Sequence, residues 1–229
     1  MGTARVAVTS RLGGVSRPPY DANNLALHVG DDVDAVRRNR VQLASALGVD
    51  GVQFMSQVHG HDVAVVGAAV DADIAGVDAL VTATPGLAVA VLVADCVPVV
   101  VTGTRAVAVV HAGRRGVAEG VVTAAVAAVR ELDDGRLQAH IGPAVCGRCY
   151  EVPADVQDEV ARVVPAARTT TRRGTPALDL PAAVGRQLAD CGVDVVDASA
   201  VCTLEDRTYY SYRRDGVTGR FAVVAMLPG

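Results

Sequence analysis

The chain has 229 residues, of which 51% are hydrophobic and only 3% aromatic, and it carries a formal net charge of −4. All 21 basic residues are arginine, which excludes Schiff-base lysines, the P-loop lysine and the kinase lysine and leaves anion binding to arginine, backbone amides or helix N-termini. The acidic balance and the scarcity of aromatic rings argue against a nucleic-acid partner, and the longest apolar run, residues 87–94, is too short to span a bilayer.

Periodicity predicts strands over residues 5–9 and 52–56, with a helix over 34–47 between them, ended by Gly48. Val-rich runs over 62–66, 80–82, 87–95, 97–102 and 105–110 then read as successive strands, and 117–132 reads as a helix ending near Gly135. A strand is expected over 137–141, a helix over 153–164 with Pro153 in its first position, and a helix over 180–190 capped by Asp179, with Gly192 just past its end. Residues 169–176, which contain Arg172-Arg173-Gly174, read as a mobile loop, and 209–213 with 221–226 as a hairpin around Asp215-Gly216. Helices and strands intermix without a regular βαβ rhythm, so the expectation is an α+β fold in one domain, 1–229, with no internal repeat. Five cysteines without a recognisable export signal point to reduced thiols in the cytoplasm.

Three segments carry the chemistry: Gln57-Val58-His59-Gly60, Ala94-Asp95-Cys96-Val97-Pro98 and His111-Ala112-Gly113-Arg114-Arg115-Gly116. Two histidines and one cysteine supply three corners of a zinc tetrahedron and leave the fourth open, the pattern of a catalytic site. A two-residue turn at Gly103-Thr104 predicts a type II′ hairpin whose register sets Cys96 opposite His111, close enough to share one ion. Pro98 threatens that register, because proline tends to sit at strand ends, edges or bulges. Asp95 is a candidate to orient a ligand from behind. Taken alone, Cys96 also reads as a small core residue, or as a nucleophile with His111 as its base. Cys146-x-x-Cys149 reads most simply as a pair of plain thiols, although Cys146, Cys149 or Cys202 would complete a closed structural zinc site.

These segments resemble the laccase-domain family of bacterial YfiH-like proteins, also called polyphenol oxidases or peptidoglycan editing factors and now regarded as purine nucleoside phosphorylases. The resemblance covers nearly the whole chain. It includes residues 9–16, His28-Val29-Gly30-Asp31-Asp32, Asn39-Arg40, Asp78-Ala79-Leu80-Val81-Thr82, Ile141-Gly142-Pro143, Cys149-Tyr150-Glu151-Val152, Cys202-Thr203 and residues 211–216. It implies a four-layer α/β/β/α arrangement with mixed sheets and a zinc site on His59, Cys96 and His111, which would also be the catalytic residues. It further implies phosphorolysis of adenosine and inosine, with methylthioadenosine phosphorolysis and adenosine deamination as companion activities. Phosphorolysis needs an anion site; Arg11 and Arg115 are the candidates for phosphate and Asn24 for the ribose or base. Two departures from the family pattern are Arg114, where a tryptophan is usual, and Cys146, in a usual glycine position.

The expected partners are thus purine nucleosides and phosphate, for a monomer or small homo-oligomer. Copper is a possible alternative occupant of a His-His-Cys site. True multicopper oxidation fits poorly, because the chain has five histidines and one His-x-His, His59-Gly60-His61; His28 and His140 read as structural. A metal-free Cys-His hydrolase or amidase acting on peptidoglycan precursors is the rival enzyme, and a binding module with structural zinc the non-enzymatic alternative. No GxSxG elbow, Rossmann fingerprint or basic stripe competes.

Overall fold

The computed structural model describes residues 4–229. Strand β1 (Arg5–Val8) is followed, after an irregular stretch, by helix α1 (Val33–Leu47). The Asp32 carboxylate caps α1 by accepting from the backbone N–H groups of Asp34 and Ala35, and Gly48 ends it at φ 71, a left-handed conformation that carries no Cβ penalty in glycine. Five short strands come next: β2 (Val52–Gln53), β3 (Met55–Ser56), β4 (Val63–Val65), β5 (Ile74–Ala75) and β6 (Ala79–Thr82). The single strand expected over 52–56 is therefore two, interrupted at Phe54, whose carbonyl accepts from the Ile74 N–H.

The long strands β7 (Ala88–Val93), β8 (Val97–Thr102) and β9 (Val107–Ala112) are buried at every residue, which is why they read as continuous apolar runs. The helix expected over 117–132 is two helices, α2 (Arg114–Glu119) and α3 (Val121–Leu132), because Gly120 at φ 90 ends the first. Strand β10 (Gln138–Ile141) and helix α4 (Ala154–Val163) follow as expected, except that Pro153 is the N-cap and not the first helical residue. Strands β11 (Arg168–Thr170) and β12 (Pro176–Leu178) turn residues 169–176, read from sequence as a mobile loop, into part of a hairpin: 169, 170 and 176 are paired in the strands and 171–175 form the turn. Helix α5 (Leu180–Asp190) is capped by the Asp179 side chain, which accepts from the Ala182 N–H.

The remaining elements are β13 (Asp194–Ala198), α6 (Tyr212–Asp215) and β14 (Phe221–Met226). The predicted C-terminal hairpin does not form. Ser211 caps α6 by accepting from the Arg214 N–H, so the segment before Gly216 is a helical turn, and β14 inserts between β1 and β7.

The strands build a four-stranded mixed sheet, β1-β14-β7-β2, and a six-stranded mixed sheet, β13-β10-β8-β9-β6-β4. In β7 the side chains alternate between two faces: Ala88, Ala90 and Leu92 face α1 with Phe54 and Leu25, while Val89, Val91 and Val93 pack between the sheets against Val107, Val109 and Phe221. The other face of the larger sheet buries Val99, Val101, Ala108 and Val110 against Val122, Val126 and Val184 of α3 and α5. These three cores give the expected four-layer α/β/β/α order. Among the described residues no helix is long and apolar enough to cross a membrane.

The β8–β9 register departs from expectation. The loop has four residues, Gly103 to Ala106, closed by a 2.9 Å bond from the Gly103 N–H to the Ala106 carbonyl, and His111 pairs with Pro98, not Cys96. The cause is distant in sequence. The buried Asp133 carboxylate enters the loop, accepting from the Arg105 N–H at 2.5 Å and lying 3.4 Å from Thr104 Oγ1. The slip moves the partner of His111 by two residues, an even number, so Cys96 stays on the face of the sheet that carries His111. Pro98 fits one residue inside the start of β8, without a bulge.

Candidate metal centre and its cavity

The chain leaves the four-stranded sheet at Val93 and enters the six-stranded sheet at Val97, so Ala94-Asp95-Cys96 forms the corner between them. Asp95 turns this corner at φ 92, and its carboxylate accepts from Thr203 Oγ1 and from the Arg213 N–H, both at 2.7 Å. Asp95 thus ties the corner to the C-terminal segment and does not orient a ligand.

Cys96 projects beside the end of β9, where His111 closes the inter-sheet face. The third residue, His59, sits at φ 60 in a loop held from two sides. The Gln57 amide exchanges bonds of 2.7 and 2.9 Å with the Leu92 backbone, and the Asp78 carboxylate accepts from the N–H groups of Val58, His59 and Gly60. The ligand atoms of His59, Cys96 and His111 all lie within 4.8 Å of one another. The imidazoles of His59 and His111 stand edge to face with centroids 4.7 Å apart.

Asp78 is the residue that sequence reasoning missed. Register places it opposite His111 across β6 and β9, with a 2.8 Å backbone bond from the His111 N–H to the Asp78 carbonyl, and its Oδ1 lies 2.7 Å from His111 Nδ1. That contact leaves His111 Nε2 for a ligand, the usual carboxylate support of a metal-binding histidine. Burial alone would raise the Asp78 pKa, but the bonds from His111 and the backbone outweigh it and keep the carboxyl ionised.

The same balance acts on the donors. Burial opposes charge on both Cys96 and His111, yet their mutual attraction, with the Asp78 bond to His111, brings the thiol down to about 6 and the imidazole up to about 9. Without a metal the pair is therefore thiolate and imidazolium at neutral pH.

Gly113 clears the space around the donors: a Cβ there would come 2.9 Å from His59 Cδ2 and 3.4 Å from Cys96 Sγ. Gly116 packs as tightly, since its Cβ would lie 2.6 Å from the Gly60 carbonyl oxygen. One thiol, two imidazoles and an unobstructed side toward a cavity fit a zinc-type ion with an open coordination position.

The cavity has a volume of about 780 Å³, and its walls include Arg114, Arg115, Arg213 and Arg220 with Tyr150 and Tyr212. Arg115 spends two donors on the His59 and Val58 carbonyls, clamping the loop it lines. Arg213 stacks on the Tyr150 ring, with its guanidinium carbon 4.4 Å from the centroid.

Arg11 and Asn24 are not among the cavity residues. Arg11 pairs with Asp21 and Asp215, bracing α6, and Asn24 is fully buried, its side-chain oxygen accepting from the N–H groups of Arg220 and Ala26. Both support walls of the cavity from behind. His28, read from sequence as structural, lines the cavity, and burial together with the Arg220 charge lowers its pKa so that it is neutral at pH 7. Its only signal in the sequence was the motif His28-Val29-Gly30.

Two stacked mixed sheets that hold a Cys-His-His cluster at the corner between them define a laccase-domain protein of YfiH type. The chain belongs to that family: the family model described as multi-copper polyphenol oxidoreductase laccase matches residues 5–228. It is 54% identical over 228 residues to a purine nucleoside phosphorylase of Streptomyces coelicolor, covering 96% of this chain and 93% of that protein. It is 49% identical over 224 residues to a purine nucleoside phosphorylase of Mycobacterium tuberculosis, covering 95% and 90%. Among solved structures, YlmD from Geobacillus stearothermophilus matches with a TM-score of 0.88 at 32% identity, covering 99% of this chain and 92% of that one.

Proposed function

We propose that the chain is a zinc-dependent purine nucleoside phosphorylase that converts adenosine or inosine and phosphate to free base and ribose 1-phosphate. The similarity to curated purine nucleoside phosphorylases supports the reaction class. The observation that carries the site is the meeting of three metal donors with four arginines around one cavity of about 780 Å³.

In the reaction a phosphate oxygen bonds to ribose C1′ as the C1′–N9 bond breaks, and the purine takes the electron pair and a proton. Arg114, Arg213 and Arg220 supply fixed positive charge for the phosphate, with bidentate geometry that suits its oxygens. Tyr150 and Tyr212 offer flat faces for the nucleoside, and neutral His28 relays protons at the wall. Zinc held by His59, Cys96 and His111 would supply Lewis acidity, the chemistry that methylthioadenosine phosphorolysis and adenosine deamination at the same site would share. Copper is the competing ion for this donor set.

The test pairs metal content, measured by mass spectrometry on protein purified without added metal, with phosphate-dependent inosine cleavage by wild type and Cys96→Ala. Zinc at the His59–Cys96–His111 centre, and activity lost with Cys96, support the reading; inosine cleavage that ignores phosphate overturns it.

A second reading is favoured by one observation, the Asp78–His111–Cys96 relay with its lowered thiol pKa. In that reading Cys96 is the nucleophile of a hydrolase acting on peptidoglycan precursors. A protein that carries no metal and whose Cys96 alkylates readily as isolated would favour it.

A further inference from the structure

Away from the donors just described, a second group of metal-binding side chains converges. The ligand atoms of Cys146, Cys149, Cys202 and Glu205 lie within 4.8 Å of one another, and none of the four residues lines the cavity. They come from two turns built alike. In the first, the N–H groups of Cys149 and Tyr150 donate to the Cys146 carbonyl at 2.9 and 3.0 Å; in the second, those of Glu205 and Asp206 donate to the Cys202 carbonyl at 3.0 and 2.9 Å. Each turn therefore presents two donors three residues apart, the spacing with which paired cysteine turns grip zinc.

The turns are also fixed to one another. Ala144 and Cys202 form a parallel bridge, and the Thr203 N–H donates to the Ala144 carbonyl at 3.0 Å. The Cys146 N–H points at Cys202 Sγ from 3.3 Å, a backbone donor aimed at a sulfur that becomes a thiolate when it binds a metal. Arg172 brings a cation to the same place, with Nη1 3.1 Å from Cys149 Sγ and 2.6 Å from Glu205 Oε1. Three thiolates and a carboxylate exceed the charge of a dication by two, and Arg172 offsets one unit of that excess.

We propose that Cys146, Cys149, Cys202 and Glu205 form a closed, structural zinc site distinct from the cavity centre. Thiolate-rich tetrahedral sets select zinc over harder ions, and four protein donors leave no position for substrate. Bond lengths of about 2.3 Å to sulfur and about 2.1 Å to oxygen require only a small inward closure of the four atoms. The three thiols release their protons as the ion binds. The site staples one wall of the cavity: Tyr150 follows Cys149 directly, and Thr203, next to Cys202, holds Asp95 at the corner. This inference does not depend on the phosphorylase reading.

The experiment uses the full chain with His59→Ala and Cys96→Ala together, which removes the cavity centre and leaves four cysteines, of which Cys191 lies outside the proposed site. Cobalt is loaded, excess is dialysed away, and the near-ultraviolet thiolate-to-cobalt band is recorded. The expected result is one cobalt per chain with a band of three-thiolate strength, lost on adding Cys149→Ser and weakened by Glu205→Gln at the exposed position. Mass-resolved alkylation of the His59→Ala, Cys96→Ala protein, with its four remaining cysteines, gives a second reading that needs no cysteine change in the cluster. Zinc should protect three thiols and leave Cys191 alone to react, and a chelator should restore all four. Failure to retain cobalt, retention without a thiolate band, or a disulfide among the three cysteines overturns the proposal.

Discussion

Two cysteine-bearing clusters brace the same corner of the fold, and they are built on different plans. His59, Cys96 and His111 come from three separate segments and face a cavity walled by arginines, with the buried Asp78 carboxylate holding His111 and the backbone of the His59 loop. Cys146, Cys149, Cys202 and Glu205 come from two matching turns, and none of them lines that cavity. Three donors leave a metal free to act on a ligand, whereas four donors use it up in holding the chain. On the two proposals made above, the open cluster is the centre for chemistry and the closed one a staple.

The sharpest way to break that contrast is Gly113→Val. Added carbon at this position meets His59 and Cys96, so phosphorolysis should fall to background and metal content should drop by one ion per chain, while the four-donor cluster keeps its own ion. Loss of both ions together would show that the clusters are not independent. Asp78→Asn acts next: the amide replaces acceptor capacity facing three backbone N–H groups and His111, and metal affinity at the cavity should fall about 10- to 100-fold in a competitive chelator titration. Affinity at the other cluster should not move.

Arg213→Ala should raise the KM for phosphate about 10-fold or more with metal content unchanged, as expected for loss of a charge-assisted contact. An unchanged KM would remove Arg213 from the phosphate site. The smallest effect is expected from Asp133→Asn, at the far end of the β8–β9 hairpin. Burial would raise the Asp133 pKa, but bonds from the Arg105 and Gly135 N–H groups outweigh it and hold the carboxyl below its usual range. Its stabilisation is thus present above pH of about 4 and is lost as pH falls through the lowered pKa. Denaturant titrations at neutral pH should show the variant less stable by about 1–3 kcal/mol, with the gap closing in acid; a gap that widened in acid would contradict this role.

The sequence made the cavity cluster readable for a reason visible in the register. Gly103-Thr104 has the local signature of a two-residue turn, but Asp133, about thirty residues on, makes the loop four residues long, and no local pattern announces that. The side-chain period of two nevertheless kept Cys96 and His111 on one face. Asp78 opens the motif Asp78-Ala79-Leu80-Val81-Thr82, but its role depends on β6 lying beside β9, a long-range pairing invisible to periodicity. The C-terminal misreading has the same origin: Asp215-Gly216 looks like a hairpin turn, yet β14 finds its partners in β1 and β7, more than a hundred residues earlier. Strand β13, exposed along its whole length, lacks the apolar alternation that marks a strand. Arg11 and Asn24 lie in the right neighbourhood but brace the cavity walls, since sequence does not distinguish a cavity residue from the residue behind it.

The most direct test of the cavity centre is an anomalous difference map at the zinc edge, from crystals of protein purified without added metal. A peak bounded by His59, Cys96 and His111, with its fourth side open to the cavity, is the expected result. No peak between these residues, or a peak closed by a fourth protein side chain, would contradict it.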